Sequence, residues 1–192
     1  MKKRKVPIVL IVGIALVFVG FSYMLGLAVR VHIGSNRSRA TVTSIEDILP
    51  DKSSGVPGTY PYVGMPVIEI NGIDYVAMLE IPAHGVTLPV ADTWTDKLYD
   101  SPARFCGSSY DNSLVIGGGD YSHQFSFCDK IDNGTIVTVT DMTGAQFTYS
   151  VARVDRSKDA SGSWLANEDY DLTLFCRDVY SMEYIAVRCK FK

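Results

Sequence analysis

The chain has 192 residues, room for one globular domain and an appendage. With 47% hydrophobic and 20% charged residues it can build a core, which excludes wholesale disorder. Five of its 18 basic residues (Lys2, Lys3, Arg4, Lys5 and Arg30) flank the first apolar stretch; the other 13 stand against 21 acidic ones, a net −8 that argues against nucleic acid as a partner.

In chain order, residues 1–5 read as a basic cytoplasmic tail and 6–29 as a transmembrane anchor. The 24 residues from Val6 to Val29 carry no charge, and at ~1.5 Å per residue a helix of that length spans a hydrocarbon core of roughly 30 Å. A cleavable signal peptide has a shorter apolar part, although Gly26 and Ala28 offer small residues for cleavage. The basic cluster ahead of the helix sets the N-terminus in the cytoplasm and the rest of the chain outside. Residues 30–60, polar and broken by Asp51-Lys-Ser-Ser-Gly-Val-Pro-Gly58, read as an extracytoplasmic stalk holding one short helix at Thr43–Leu49, with Ser44 as its N-cap.

From residue 61 to 192 the pattern predicts a mainly β domain. Seven runs rich in β-branched and aromatic residues read as strands: Val67–Asn71, Tyr75–Ile81, Ser113–Gly117, Thr135–Thr140, Gln146–Ala152, Asp171–Cys176 and Tyr184–Cys189. Asp141–Ala145 should turn a hairpin between the fourth and fifth. Helix is expected only near Thr93–Leu98 and Ser126–Ile131. Many short strands at close spacing predict a closed barrel or a sandwich.

The four cysteines are too few for a disulfide scaffold, and no pair is spaced for structural zinc. Cys106 and Cys128 are the pair open to disulfide formation. Three scattered histidines (His32 at the membrane edge, His84 in a turn, His123) argue against a metal site, and no cofactor is expected.

The order of motifs resembles the catalytic domain of sortases, the membrane-anchored cysteine transpeptidases of Gram-positive bacteria. The matches run from Leu79-Glu-Ile-Pro82 and Gly85-Val-Thr-Leu-Pro-Val90 through Gly107-Ser-Ser-Tyr110, Ser113-Leu-Val-Ile116, Tyr121, Phe125 and Asn133-Gly134. They continue with Phe147-Thr-Tyr-Ser-Val151 and Leu172-Thr-Leu-Phe175 and end at Val187-Arg-Cys189. The resemblance spans Tyr75 to Phe191. It implies a closed β-barrel of about eight strands with short helices, facing the wall side of the membrane. It also implies a partner: a peptide sorting signal, or a wall or pilus protein.

In sortases a cysteine attacks a backbone carbonyl, a histidine moves the proton and an arginine stabilises the oxyanion, the general needs of acyl transfer through a thiolate. Aligned without gaps, the three positions here hold Gly119 for the histidine, Arg177 for the cysteine and Tyr184 for the arginine. Two readings follow. In one, a relocated pair survives, with Cys176 as nucleophile, His123 as acid/base and Arg188 or Arg177 as oxyanion donor. In the other, catalysis is lost and the groove binds a peptide, with Arg177 and Tyr184 as contacts. On a regular strand Cys176 shares a face with Leu172 and Leu174, opposite to that of Thr173, Phe175 and the nucleophile position, which favours an inert thiol. His123 reads either as a displaced base or as a surface loop residue, and Arg188 as a structural arginine. Gly117-Gly-Gly119 is expected to let the backbone bend. Glu168–Asp171 reads as a solvated acidic loop, with calcium binding as the alternative that the resemblance supplies.

Overall fold

The structure, a computed structural model, describes residues 8–60, 64–95, 100–159 and 161–192. Its longest element is helix α1, Ile8–Ile48. No proline interrupts that stretch, and Pro50 stops it: the residue before a proline is sterically kept out of helical geometry, so the helix ends before Leu49. Leu16, Val17, Phe18 and Phe21 are each about two-thirds exposed, so no other element among the described residues covers this part of α1. It is the one helix among the described residues long and apolar enough to cross a membrane. Residues 1–7, which hold the basic cluster, lie outside the described residues.

The C-terminal part of α1 differs from the expected stalk. Residues up to Ile48 continue one helix, and Ile45 is wholly buried against Tyr75, Met78 and Met142. Ser38 and Thr41 are buried on the same flank, and Arg37 pairs with Asp100 at 3.2 Å. Ser44 is not an N-cap; its hydroxyl donates to the Ala40 carbonyl one turn back. A polar sequence without helix breakers, carrying Ser38, Thr41 and Ile45 at helical spacing, gains its helicity from docking on the barrel.

The strands are β1 (Ser53–Ser54), β2 (Ile68–Ile70), β3 (Ile73–Ile81), β4 (Val86–Ala91), β5 (Ala103–Cys106), β6 (Leu114–Gly117), β7 (Ile136–Asp141), β8 (Ala145–Ser157), β9 (Leu172–Arg177) and β10 (Tyr184–Phe191). Eight of them close a ring in the order β3-β7-β8-β10-β9-β6-β5-β4, with β4 returning to β3. The barrel is mainly antiparallel; β6 with β9 and β4 with β5 run parallel. β1 and β2 lengthen the sheet beside β8 and β3.

All seven expected strands are present. β7 and β8 form the expected hairpin, and the buried Asp141 carboxylate shapes its turn by accepting from the backbone N–H of Thr143 and Ala145 and from the hydroxyl of Tyr110. Beyond the seven, β8 runs on to Ser157 because β10 supplies partners as far as Ser157. The helix expected near Ser126–Ile131 is a run of turns, and Asp92–Thr95 is not helical; Asp96–Leu98 lie outside the described residues. A short helix not foreseen, α2 (Gly162–Leu165), is capped by the Ser161 hydroxyl, which accepts from Trp164 N–H.

Inward side chains make the core. They include Leu114 and Ile116 of β6, Val137 and Val139 of β7, Phe147, Tyr149 and Val151 of β8, Leu172, Leu174 and Cys176 of β9, and Ile185, Val187 and Cys189 of β10. The opposite face of β6, β9 and β10 carries a second, smaller cluster around Val115, Phe175 and Ala186. The turn into β6 depends on Gly107, whose φ is +73° and where an added Cβ would fall 1.9 Å from the Ser113 carbonyl oxygen. Gly107→Ala is therefore expected to cost about 2–3 kcal/mol through left-handed strain and backbone displacement. Thermal unfolding followed by circular dichroism should show a Tm lower by roughly 5–10 °C.

Candidate functional site

The pairing of β6, β9 and β10 sets the geometry of the site. Gly117 is paired with Phe175, and Arg177 with Tyr184. Gly119, Arg177 and Tyr184, the three aligned positions, thus gather at one end of three adjacent strands. Thr173, Phe175 and Arg177 point to the outer face, and Leu172, Leu174 and Cys176 to the interior.

Cys176 is 1% exposed, and its thiol donates to the Phe125 carbonyl at 3.7 Å. The Cys128 backbone N–H donates to the same oxygen at 3.0 Å. Burial pushes the Cys128 thiol well up from its ordinary value and the Cys189 thiol up to about 12. Burial thus opposes thiolate formation at Cys128 and Cys189. All four cysteines are free, so Cys106 and Cys128 are not joined.

His123 sits on the loop between β6 and β7, its ring stacked on Tyr121 with centroids 5.6 Å apart. It lines a cavity of about 170 Å³ with Ser38 and Arg39 of α1, His84 and Leu88. Cys176 belongs to the barrel interior and does not line that cavity.

Arg188 is wholly buried on the outer side of β10. Its Nη1 donates to Leu165 O at 2.8 Å and Thr173 Oγ1 at 3.0 Å, its Nη2 donates to Trp164 O, and its Nε meets Asp155 Oδ2 at 3.3 Å. Its Cζ lies 4.8 Å from the Trp164 ring centroid. Burial lowers its pKa and the Asp155 carboxylate offsets this. Each of its three nitrogens has a partner: Nη1 and Nη2 hold α2 to the barrel, and Nε and Nη1 tie β10 to β8 and β9.

Arg177 is exposed at the end of β9. Its Nε donates to Met182 O at 3.4 Å, and its guanidinium lies over the Tyr184 ring with Cζ 5.6 Å from the centroid. Among the described residues its two Nη groups meet no carboxylate.

The glycine run behaves otherwise than expected. None of Gly117, Gly118 and Gly119 adopts positive φ, so none is needed for a bend. Each instead lets an aromatic ring lie against the backbone. An added Cβ would fall 2.0 Å from Trp94 at Gly117, 2.8 Å from Phe125 at Gly118 and 2.3 Å from Tyr121 at Gly119. The Gly119 N–H donates to Gln124 Oε1 at 2.8 Å. The space that a side chain at 119 would enter is filled by Tyr121.

Trp94, Phe105 and Phe175 pack together on the outer face, with centroids 5.2–5.7 Å apart. Sequence reasoning did not single out this cluster. The signal was present: glycine within a strand marks a close approach, and Gly117 ends β6 under Trp94.

No protein-family model and no curated protein matches the sequence. Solved structures do match. The chain superposes on sortase C1 from Streptococcus agalactiae with TM-score 0.56 at 23% identity, covering 65% of this chain and 70% of that one. Against the sortase D5 transpeptidase of Clostridium perfringens the TM-score is 0.52 at 19% identity, over 62% and 79%. Against sortase A from Corynebacterium diphtheriae it is 0.52 at 18% identity, over 86% and 85%. The chain has the sortase fold.

Proposed function

We propose that this is a single-pass membrane protein on the cell-wall side of the membrane, N-terminus cytoplasmic, descended from cysteine transpeptidases and now binding a sorting-like peptide or a wall or pilus protein without turnover. One observation carries the reading. The outer face at the end of β9 presents the Arg177 guanidinium, while the neighbouring sulfur of Cys176 is sealed in the core. A guanidinium cannot attack a carbonyl; it holds carboxylates and carbonyl oxygens. The fold similarity supports the ancestry. The exposed apolar part of α1, within a helix long and apolar enough to cross a membrane, supports the anchor. The division into tail, anchor, stalk and barrel at residues 5, 29 and 60 belongs to this proposal, and within it the stalk is helical to Ile48. Burial of the Cys176 sulfur is the argument against an active enzyme built on Cys176 and His123.

The test is incubation of the full chain in detergent with a library of sorting-signal peptides and hydroxylamine as acceptor. Peptide should bind and none should be cleaved, and Arg177→Ala should weaken binding at least tenfold, the loss of one charge-assisted contact. Appearance of a hydroxamate product would refute the reading.

A further inference from the structure

We infer that the groove takes the free C-terminal carboxylate of a peptide whose last side chain is apolar, with Arg177 as the carboxylate-binding residue; this rests on the peptide-binding reading above. Three observations lead there.

The first is the state of the guanidinium. Its Nε is fixed by the Met182 carbonyl and its plane lies over Tyr184, while its two Nη groups meet no carboxylate among the described residues. An arginine held in place by a ring and a carbonyl loses little freedom when it binds. Its remaining N–H pair has the spacing of a carboxylate's two oxygens.

The second is the apolar floor. Phe175 precedes Arg177 by two residues on the same face, and Trp94 and Phe105 pack around it. Trp94 and Phe105 are only partly buried, so a ligand has aromatic surface to cover.

The third is how the groove ends. Beyond Arg177 the chain rises into the loop 178–183. Asp120 Oδ2 accepts from Val179 N–H at 3.4 Å, tying the segment after Gly119 to that loop. Asp178 caps the loop from within, accepting from the N–H of Tyr180 and Ser181 and from the Ser181 hydroxyl, and Met182 is held at φ +61°. Phe175 and Arg177 are two residues apart on one face, so a last side chain lying on the aromatic rings brings its own terminal carboxylate to the guanidinium, beside this tied loop. The acids of the loop and of the segment tied to it, Asp178, Glu183 and Asp120, disfavour a peptide that continues with further acid. A terminal carboxylate is the negative group this arrangement selects.

The experiment uses immobilised full chain in detergent and two random hexapeptide pools, identical except for a free C-terminal acid or a C-terminal amide. Bound peptides are read by mass spectrometry. Acids should be enriched at least tenfold over amides, with Val, Leu, Ile or Phe over-represented at the last position. Arg177→Gln should equalise the pools, and Arg177→Lys should restore part of the preference. Equal retention of acids and amides by the wild-type chain overturns the inference and leaves peptide binding standing. So does enrichment of amides carrying an internal Glu or Asp. Retention of neither pool removes both readings. Arg177 is exposed, so its variants should keep the wild-type Tm, and a lowered Tm in Arg177→Gln would overturn the assignment of Arg177 to ligand rather than to fold.

Discussion

Arg188→Met is expected to lower the stability of the barrel by about 3–5 kcal/mol, a large share of the roughly 5–15 kcal/mol that holds a typical domain. The side chain has no exposure, and its guanidinium joins parts of the chain that are otherwise far apart in sequence: Asp155 on β8, Trp164 and Leu165 at α2, and Thr173 on β9. Removing it leaves two backbone carbonyls at α2 without their donors in a region closed to water, and each such loss costs about 1–3 kcal/mol. Asp155 keeps its second partner, Arg153, so the carboxylate is not stranded, which keeps the cost near the lower half of the range. Methionine fills similar volume, so the loss reports polar contacts rather than a cavity. Urea titration followed by tryptophan fluorescence measures it. A change under 1 kcal/mol would show that α2 is not held through Arg188, and would reopen the question of what this arginine is for.

What the sequence discloses, and what it hides, follows from how local each signal is. β7 and β10 alternate apolar residues over four or more positions, so a period of two is visible without knowing the partner strands, while β6 and β9 read as short, nearly continuous apolar runs. That period also places Cys176 on the face of Leu172 and Leu174, and the structure has it there. β4 hides behind Pro89, which lowers any strand score, and β5 is four residues interrupted by Arg104. The distal half of β8, Arg153-Val-Asp-Arg-Ser157, looks like a loop because its charged side chains face outward. Arg153 and Asp155 satisfy each other there, and β10 supplies the backbone partners. The helical stalk hides for a similar reason: Ser38 and Thr41 are unremarkable until the barrel surface that buries them is known. At the candidate site the register of β9 and β10 is legible and the occupancy is not. Nothing local in Gly117-Gly-Gly119 says that Trp94, Phe125 and Tyr121 will lie on those three glycines.

Arg177→Cys gives the second large effect. The new thiol replaces an exposed side chain on the outer face, outside the core that holds Cys128, Cys176 and Cys189. Those three become reachable only when the barrel opens, an event that takes up to the full unfolding free energy of the domain. For an ordinary domain, that makes their labelling slower by about 10³-fold or more. Cys106 is half-buried, and burial raises its pKa while Arg104 only partly compensates, so it too should lag behind an exposed thiol. Timed iodoacetamide labelling with peptide mapping should therefore find modification at position 177 in minutes, ahead of all four native cysteines. Cleavage of a sorting peptide should not return with the thiol alone. Proton transfer contributes about 10²–10⁴ in rate, and the position that would supply it is a glycine whose Cβ direction is filled by the Tyr121 ring. Gly119→His needs Tyr121→Ala beside it to make room, and Tyr184→Arg would restore a donor on the paired strand. The expected order is labelling with Arg177→Cys alone, and acyl-enzyme formation only when all four changes are combined. Turnover by Arg177→Cys alone would mean that another group already serves as the base, with His123 on its stacked loop the first residue to substitute.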